Sequence, residues 1–404
     1  MSKGARKEAT CVQHLQLIPV LLAILWTHVA IADEPPVTTE GPDEVSIGLE
    51  FLLSSQEGPA KAEWPYEGVY RVREDGRSVI PIGYRVGGTA LVSTALLHLP
   101  AGDSATARDA ALARAVTFIC RATDEPLMQW SDYDGGYDVR GWGYIYALSF
   151  LCDLQRVEAV PEGMDATVQQ AIEFYAKALQ QIAIPDWGGW NYSRNRNVHK
   201  PGPQAPFMTG PALQALFAAA ERGLPIDADT INAALDALER SRSTTGAVEY
   251  SGGPEQASSD THAAGAAGRM LSSETTLLLA GRGSAARVRG ALDSFLAFWD
   301  ELEARRSKTG THKGPYGVAP YYFFFAHYYA AQAIELLPEP LRREYREPLR
   351  RRLEQVRMED GRWNDRVFPR SASYGTALAL LSLNMSDVPP PPPWSNDTTT
   401  TTTD

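Results

Sequence analysis

Cysteine is scarce in this 404-residue chain: there are three, Cys11 close to the start, Cys120 and Cys152. So few cysteines exclude a disulfide framework, and no closely spaced thiol pair offers a zinc site. An excess of positive charge is missing too. The 38 Lys and Arg face 49 Asp and Glu, a net charge of −11. That balance argues against nucleic acid and anionic membranes as electrostatic partners. The apolar run Leu15–Trp26 is too short for a comfortable bilayer span, and no later run is uninterrupted enough. Strand-like alternation is rare. No serine-hydrolase elbow, P-loop or dinucleotide fingerprint occurs.

Residues 1–32 read as a secretory signal peptide. Lys3, Arg6 and Lys7 form its basic start, and Ala30-Ile31-Ala32 is a small-x-small cleavage site. Those three basic residues leave together with Glu8, which takes the net charge from −11 to −13. A secreted or periplasmic location is expected, with no strong membrane signal after cleavage. Residues 33–43, Pro-rich and acidic, read as a linker. Residues 385–404, with five consecutive prolines and a threonine tract, read as a disordered or extended tail unable to bury a core.

Between these ends, at 44–384, the pattern is helical and repeats. Small-residue helix starts followed by apolar runs occur at "GGTALVSTALLHL", "GWGYIYALSFLCDL", "MTGPALQALFAAA", "DTHAAGAAGRML", "APYYFFFAHYYAAQAIELL" and "SYGTALALLSLN". Their equivalent positions Gly88, Gly143, Gly210, Gly265, Tyr321 and Gly375 stand 55, 67, 55, 56 and 54 residues apart. Such regular spacing marks repeated units. Each apolar helix follows an amphipathic one, read near 44–56, 106–121, 165–182, 227–241, 284–303 and 341–356, with Asp165, Asp227 and Ser284 as N-caps. Pro348 is expected to distort the last of these.

A helix that is apolar all round must be covered on both sides. Six such helices inside six amphipathic ones give an all-α fold, an (α/α)6 toroid. The outer-to-inner connections are long and the inner-to-outer ones short, so all long loops gather at one end of the ring, where the inner helices begin. Binding is expected there. Cys120 and Cys152 fall about 14 Å apart along the ring axis by helical rise, so they are expected to be unbridged and buried.

The Gln-x5-Gly-x-Trp of Gln355, Gly361 and Trp363 resembles the QW repeat of the squalene cyclase and prenyltransferase family. Looser copies end at Trp64, Trp190 and Tyr250, and "YDGGYDVRGWG", which contains Trp142, is a further variant. The resemblance spans roughly 44–384 and implies the terpenoid-cyclase type of toroid. It implies a stapling role for Trp64, Trp190 and Trp363, with the glutamine tying helix ends together. The family's protonating Asp-rich motif is incomplete. In "ASSDTHA" Asp260 and Thr261 match, but Ser259 stands at the proton-donor position. The thioester motif of complement-type toroids is absent.

Asp260 and His262, at one inner-helix mouth, are the candidate catalytic residues. Asp260-Thr261-His262 with His312 or His327 has the makings of a zinc set, but no cysteine is near. No metal and no cofactor are expected, and His327 reads as a core histidine. Asp134, with Asp132 and Asp138 among aromatics, suits a sugar cleft. Arg194, Arg196 and His199 share a basic loop suited to an anionic group. Trp142, His312, Tyr316, Tyr321 and Tyr374 complete the binding set. Three functions fit: a secreted repeat protein with a cavity for an apolar or isoprenoid-like ligand, a terpenoid cyclase-like enzyme among the possibilities; a carbohydrate-active enzyme on an (α/α)6 barrel; or a non-catalytic binding toroid. The expected partner is an apolar small molecule or a glycan, bound by a monomer.

Overall fold

The computed structural model describes residues 44–133, 137–192, 203–252 and 261–395. The leader, the linker and the threonine tract lie outside the described residues. Thirteen α-helices dominate: α1 Glu44–Ser54, α2 Ile82–His98, α3 Ala105–Arg121, α4 Arg140–Arg156, α5 Asp165–Ile182, α6 Pro206–Glu221, α7 Ala228–Arg240, α8 Ala263–Leu279, α9 Ala285–Ala297, α10 Trp299–Glu303, α11 Tyr322–Glu335, α12 Glu339–Gln355 and α13 Ser371–Leu383. The described strands are β1 Val72–Glu74 and β2 Arg77–Val79, an antiparallel hairpin. Asp75 and Gly76 turn it with φ of 48° and 77°, the left-handed pair that matches strand twist.

The inner helices α2, α4, α6, α8, α11 and α13 pack in that order, and α13 returns to pack on α2. This is the closed (α/α)6 ring. The outer helices α3, α5, α7, α9 and α12 each lie on the inner helix that precedes them, and α1 lies on α13, so the N-terminal helix covers the C-terminal one. Patterning explains the two layers. In α7 only Ile231, Ala234, Leu235, Ala237 and Leu238 are buried, a single stripe. In α13 every residue from Ser371 to Ser382 is buried. Among the described residues no helix is long and apolar enough to cross a membrane.

Three local expectations change. The fifth outer helix breaks at Phe298 (φ −110°, ψ 21°) into α9 and α10. The break turns Trp299 inward, where its indole N–H donates to Nε2 of His327 at 2.9 Å. Asp165 is the first helical residue of α5 rather than its cap, whereas Asp227 accepts from the Thr230 N–H at 2.9 Å and Ser284 from the Arg287 N–H at 3.3 Å. The third change concerns Pro348, because α12 runs through it without a break.

His327 is the core histidine the sequence suggests. Its Nδ1–H donates to the Phe323 carbonyl at 2.7 Å, four residues back on the same helix. Burial drives its pKa down to about 3, so the ring is neutral and accepts from Trp299. Cys120 and Cys152 are buried and unpaired.

The repeated tryptophan has one geometry in three places. Trp64, Trp190 and Trp363 are almost fully buried. Each indole N–H donates to a carbonyl in the preceding outer helix: Leu52 at 2.7 Å, Leu179 at 2.9 Å, Leu353 at 2.8 Å. Each backbone N–H donates to a threonine hydroxyl in the first turns of the next inner helix: Thr89 at 2.9 Å, Thr209 at 3.0 Å, Thr376 at 3.1 Å. The staple therefore fastens an outer helix to the following inner one. The contact requires glycine beside it. A Cβ on Gly88 would lie 2.4 Å from the Trp64 carbonyl oxygen, and one on Gly375 2.6 Å from that of Trp363. The glutamine is less uniform. Gln56 is buried and donates to the Ala111 carbonyl of α3 at 3.1 Å, while Gln355 is exposed.

Candidate functional site

The long connections 55–81, 122–139, 183–205, 241–262, 304–321 and 356–370 all lead into inner-helix N-termini. They bring a set of rings over the ring's axis. Tyr66, Tyr84, Tyr137, Trp142, Tyr192, Phe207, Tyr321 and Tyr374 line one pocket, joined by Val69, Thr311 and Arg366. The space between these side chains is about 410 Å³ when the open solvent at the mouth is included. Trp142 is the hub. Its ring meets Tyr66 at 5.5 Å, Tyr84 at 5.5 Å, Tyr146 at 4.9 Å and Tyr374 at 6.3 Å. Tilted and edge-on packing of this kind fixes the rings against one another. Gly87, below the indole, keeps room for it, since a Cβ there would lie 2.4 Å from the Trp142 ring.

Two charged residues follow Trp363 here: Arg366, which lines the pocket, and its neighbour Asp365, which does not. Arg366 is 5 % exposed. Its Nε–H donates to the Tyr66 hydroxyl at 3.2 Å, and its guanidinium lies 5.4 Å above the Tyr321 ring. Asp365 is fully buried, and neither carboxyl oxygen has a hydrogen-bond partner. Burial pushes its pKa up to about 7, against the pull of Arg366, its own amide and Arg306. Its charge in turn helps to raise the hydroxyl pKa values of Tyr66 and Tyr374, which places it beside the pocket. An acid held near neutrality by desolvation can both give and take a proton at physiological pH.

Of the residues read from the sequence, Trp142, Tyr321 and Tyr374 meet in this pocket. His312 stands next to it. Its Nδ1–H donates to the Gly317 carbonyl at 3.1 Å, so Nε2 accepts from the Tyr321 hydroxyl at 3.1 Å. His262 is exposed and caps α8, its Nδ1 accepting from the Ala264 N–H at 3.2 Å. It stacks on Tyr316, ring centres 4.4 Å apart, and neither residue lines the pocket. Asp260, Asp134, Arg194, Arg196 and His199 lie outside the described residues. The two other acids of the Asp134 loop are held by one cation. Arg140 binds Asp138 at 2.6 Å and Asp132 at 2.5 Å, and Asp138 also accepts from the Arg140 N–H at 2.8 Å. Among the described residues no group of three His, Cys, Asp or Glu is arranged to hold a metal ion.

Asp365, Arg366, Tyr66, Tyr84, Tyr192 and Phe207 were not singled out from the sequence. A signal existed for four of them. Asp365 and Arg366 follow the stapled Trp363 by two and three residues, and Tyr66 and Tyr192 follow the stapled Trp64 and Trp190 by two. The staple delivers whatever comes next to the axis.

No protein-family model and no curated protein sequence matches the chain. Solved structures do. The GH76A α-1,6-mannanase of Salegentibacter sp. HEL1_6 superposes with a TM-score of 0.54 at 14% identity, over 85% of this chain and 99% of that one. A D-mannose isomerase gives 0.50 at 13% identity, over 85% and 96%. The type II terpene cyclase MstE of Scytonema gives 0.47 at 13% identity, over 85% and 97%. At these identities the mannanase and the isomerase establish architecture alone: the chain is an (α/α)6 toroid, with an aromatic pocket at the end where its inner helices begin.

Proposed function

We propose that this pocket receives an apolar or isoprenoid-like small molecule and presents it with one acid, Asp365. The observation that carries the reading is the composition of the wall, eight aromatic rings and one buried guanidinium, with the buried, unpartnered carboxyl of Asp365 next to that guanidinium in the chain, behind the wall. Aromatic faces hold apolar and cationic species alike. The QW-like staples agree with this reading, since the same resemblance points to proteins that act on isoprenoids. Glycoside hydrolysis works with two carboxylates across the scissile bond. Asp132 and Asp138 are instead both spent on Arg140. The leader-like residues 1–32 support an activity outside the cytoplasm.

The test is a titration of the full chain followed by intrinsic fluorescence, because Trp142 lines the pocket. Farnesol is expected to give a saturable change that mannotetraose does not. Tyr374→Ala should weaken farnesol binding about tenfold, the loss of roughly one aromatic contact. Saturation by mannotetraose, with farnesol inert, would replace this reading by the carbohydrate one.

A further inference from the structure

The opposite end of the ring, where the inner helices finish, is not open. The sequence suggests a disordered or extended tail from 385 onward, and its described part, up to Ser395, is seated across this end. After a short turn at Met385–Asp387 the chain runs from Val388 to Ser395 without helix or strand. Pro392 is buried. Trp394 stacks on Phe217 of α6 with centroids 5.5 Å apart and planes at 29°. Its backbone N–H donates to the Leu279 carbonyl, at the end of α8, at 3.0 Å.

The proline carbonyls are read by one side chain. Arg156, the last residue of α4, donates to the Pro390 carbonyl at 2.8 Å and to the Pro389 carbonyl at 3.1 Å. The guanidinium is held ready for this. Asp153 accepts from its Nε–H at 3.1 Å and its Nη2–H at 2.6 Å, and His98 of α2 bonds the other oxygen of Asp153. Between the prolines and the ring lies a cavity of about 90 Å³, walled on the ring side by Tyr146, Tyr328, Tyr329 and Cys152.

These parts match a general mode of recognition. A run of prolines is stiff and extended before it binds, so little conformational entropy is lost on docking. It has no N–H to leave unsatisfied against an apolar surface, and its carbonyls accept from a fixed donor. An aromatic floor and a braced arginine are the complementary surface. We propose that the end of the ring formed by Arg156, Phe217, Tyr328 and Tyr329 is a binding site for an extended proline-rich peptide, filled by the chain's own 388–395 and able to take such a peptide in trans. The site has its own lining, and Tyr146, one of its walls, meets Trp142 of the pocket at the other end.

Cys152 reports on it. Burial pushes this thiol up to about 12, and it lies under the strap. In the full-length chain Trp394→Ala removes the anchoring ring without touching the helices. N-ethylmaleimide labelling of Cys152, followed by peptide mass mapping, is expected to speed up about tenfold, corresponding to the loss of roughly 1.4 kcal/mol of seating. Adding the peptide VPPPPPWS to the Trp394→Ala chain should slow the labelling back toward the parent rate, while a scrambled alanine-for-proline peptide should not. In a Trp394→Ala chain that also carries Arg156→Gln, VPPPPPWS should no longer protect. Cys120, away from the strap, is the internal control for general loosening: it should label at one rate throughout. Unchanged labelling of Cys152 in Trp394→Ala, or acceleration that VPPPPPWS does not reverse, would overturn the proposal. Equal acceleration at Cys120 would overturn it as well, because the tail would then be stabilising the whole ring rather than filling a site.

Discussion

Asp365→Asn is expected to make the protein more stable than the parent at pH 8, and the gain should vanish toward pH 4. The sign follows from burial. The carboxyl has an ordinary pKa of 3.8 in the unfolded chain and about 7 in the fold. Between those values the folded state holds a proton that the unfolded state has released, so stability falls as pH rises across this window. The loss is complete above pH 7. At about 1.4 kcal/mol for each pH unit, the full cost is on the order of 4 kcal/mol. Asparagine carries no charge at any pH and removes the whole dependence. Its amide is itself a buried polar group, which adds a constant penalty and leaves the slope untouched. Urea unfolding of both chains from pH 4 to pH 8.5 gives the difference directly. A stability difference that stays flat with pH would mean that Asp365 has found a partner in solution and is no reservoir of acidity. If it rises as expected, the same substitution should also abolish any proton transfer to a molecule in the pocket.

Trp363→Ala should cost about 3–5 kcal/mol, the range for a large buried aromatic cut back to alanine. Trp363→Phe separates packing from hydrogen bonding. It keeps most of the ring but removes the indole bond to the Leu353 carbonyl, which still accepts from the Val356 N–H at 3.3 Å, so a loss of about 0.5–1.5 kcal/mol is expected. Thr376→Val acts on the other half of the staple. It strands the buried Trp363 N–H, for about 1–3 kcal/mol. Because the geometry repeats, Trp64→Ala and Trp190→Ala should fall within about 1 kcal/mol of the Trp363 value. Denaturant midpoints at constant m-value provide the check. A Trp363→Ala chain that loses less than about 1 kcal/mol would show that the indole is a passenger.

The ring was legible because its cause is periodic. An inner helix buried all round and an outer helix with one stripe differ in pattern, and the near-constant spacing of Gly88, Gly143, Gly210, Gly265, Tyr321 and Gly375 joined them into units. The split at Phe298 was not legible, because nothing local marks it; it answers to the Trp299–His327 bond made across the layers. The pocket was half legible. Trp142, Tyr321 and Tyr374 stand at inner-helix mouths, where the repeat itself points. Asp365 looked like one of many loop carboxylates, and only tertiary burial makes it an acid near neutrality. His262 stood out on an analogy with an Asp-rich motif, and its side chain caps a helix and stacks on Tyr316. The seat of the tail was not legible for a different reason. Composition shows that a proline run cannot build a core, but says nothing about lying on one already built.

The seam of the ring has a kinetic consequence. The flank of α2 that ends against α13 has no native neighbour until residues near 371–383 exist, some 290 positions later. Entropy of loop closure adds only slowly at such lengths, so the obstacle is time rather than free energy. At about 5–20 residues per second of synthesis, roughly a quarter-minute to a minute passes with that greasy flank bare. The ion pairs Arg350–Glu44 and Arg370–Glu57, which join the first and last repeats, cannot form before residues 350 and 370 have been made. A nascent chain of this design spends its youth as an open arc, and it is the docking of α13 on α2 that turns the arc into a ring.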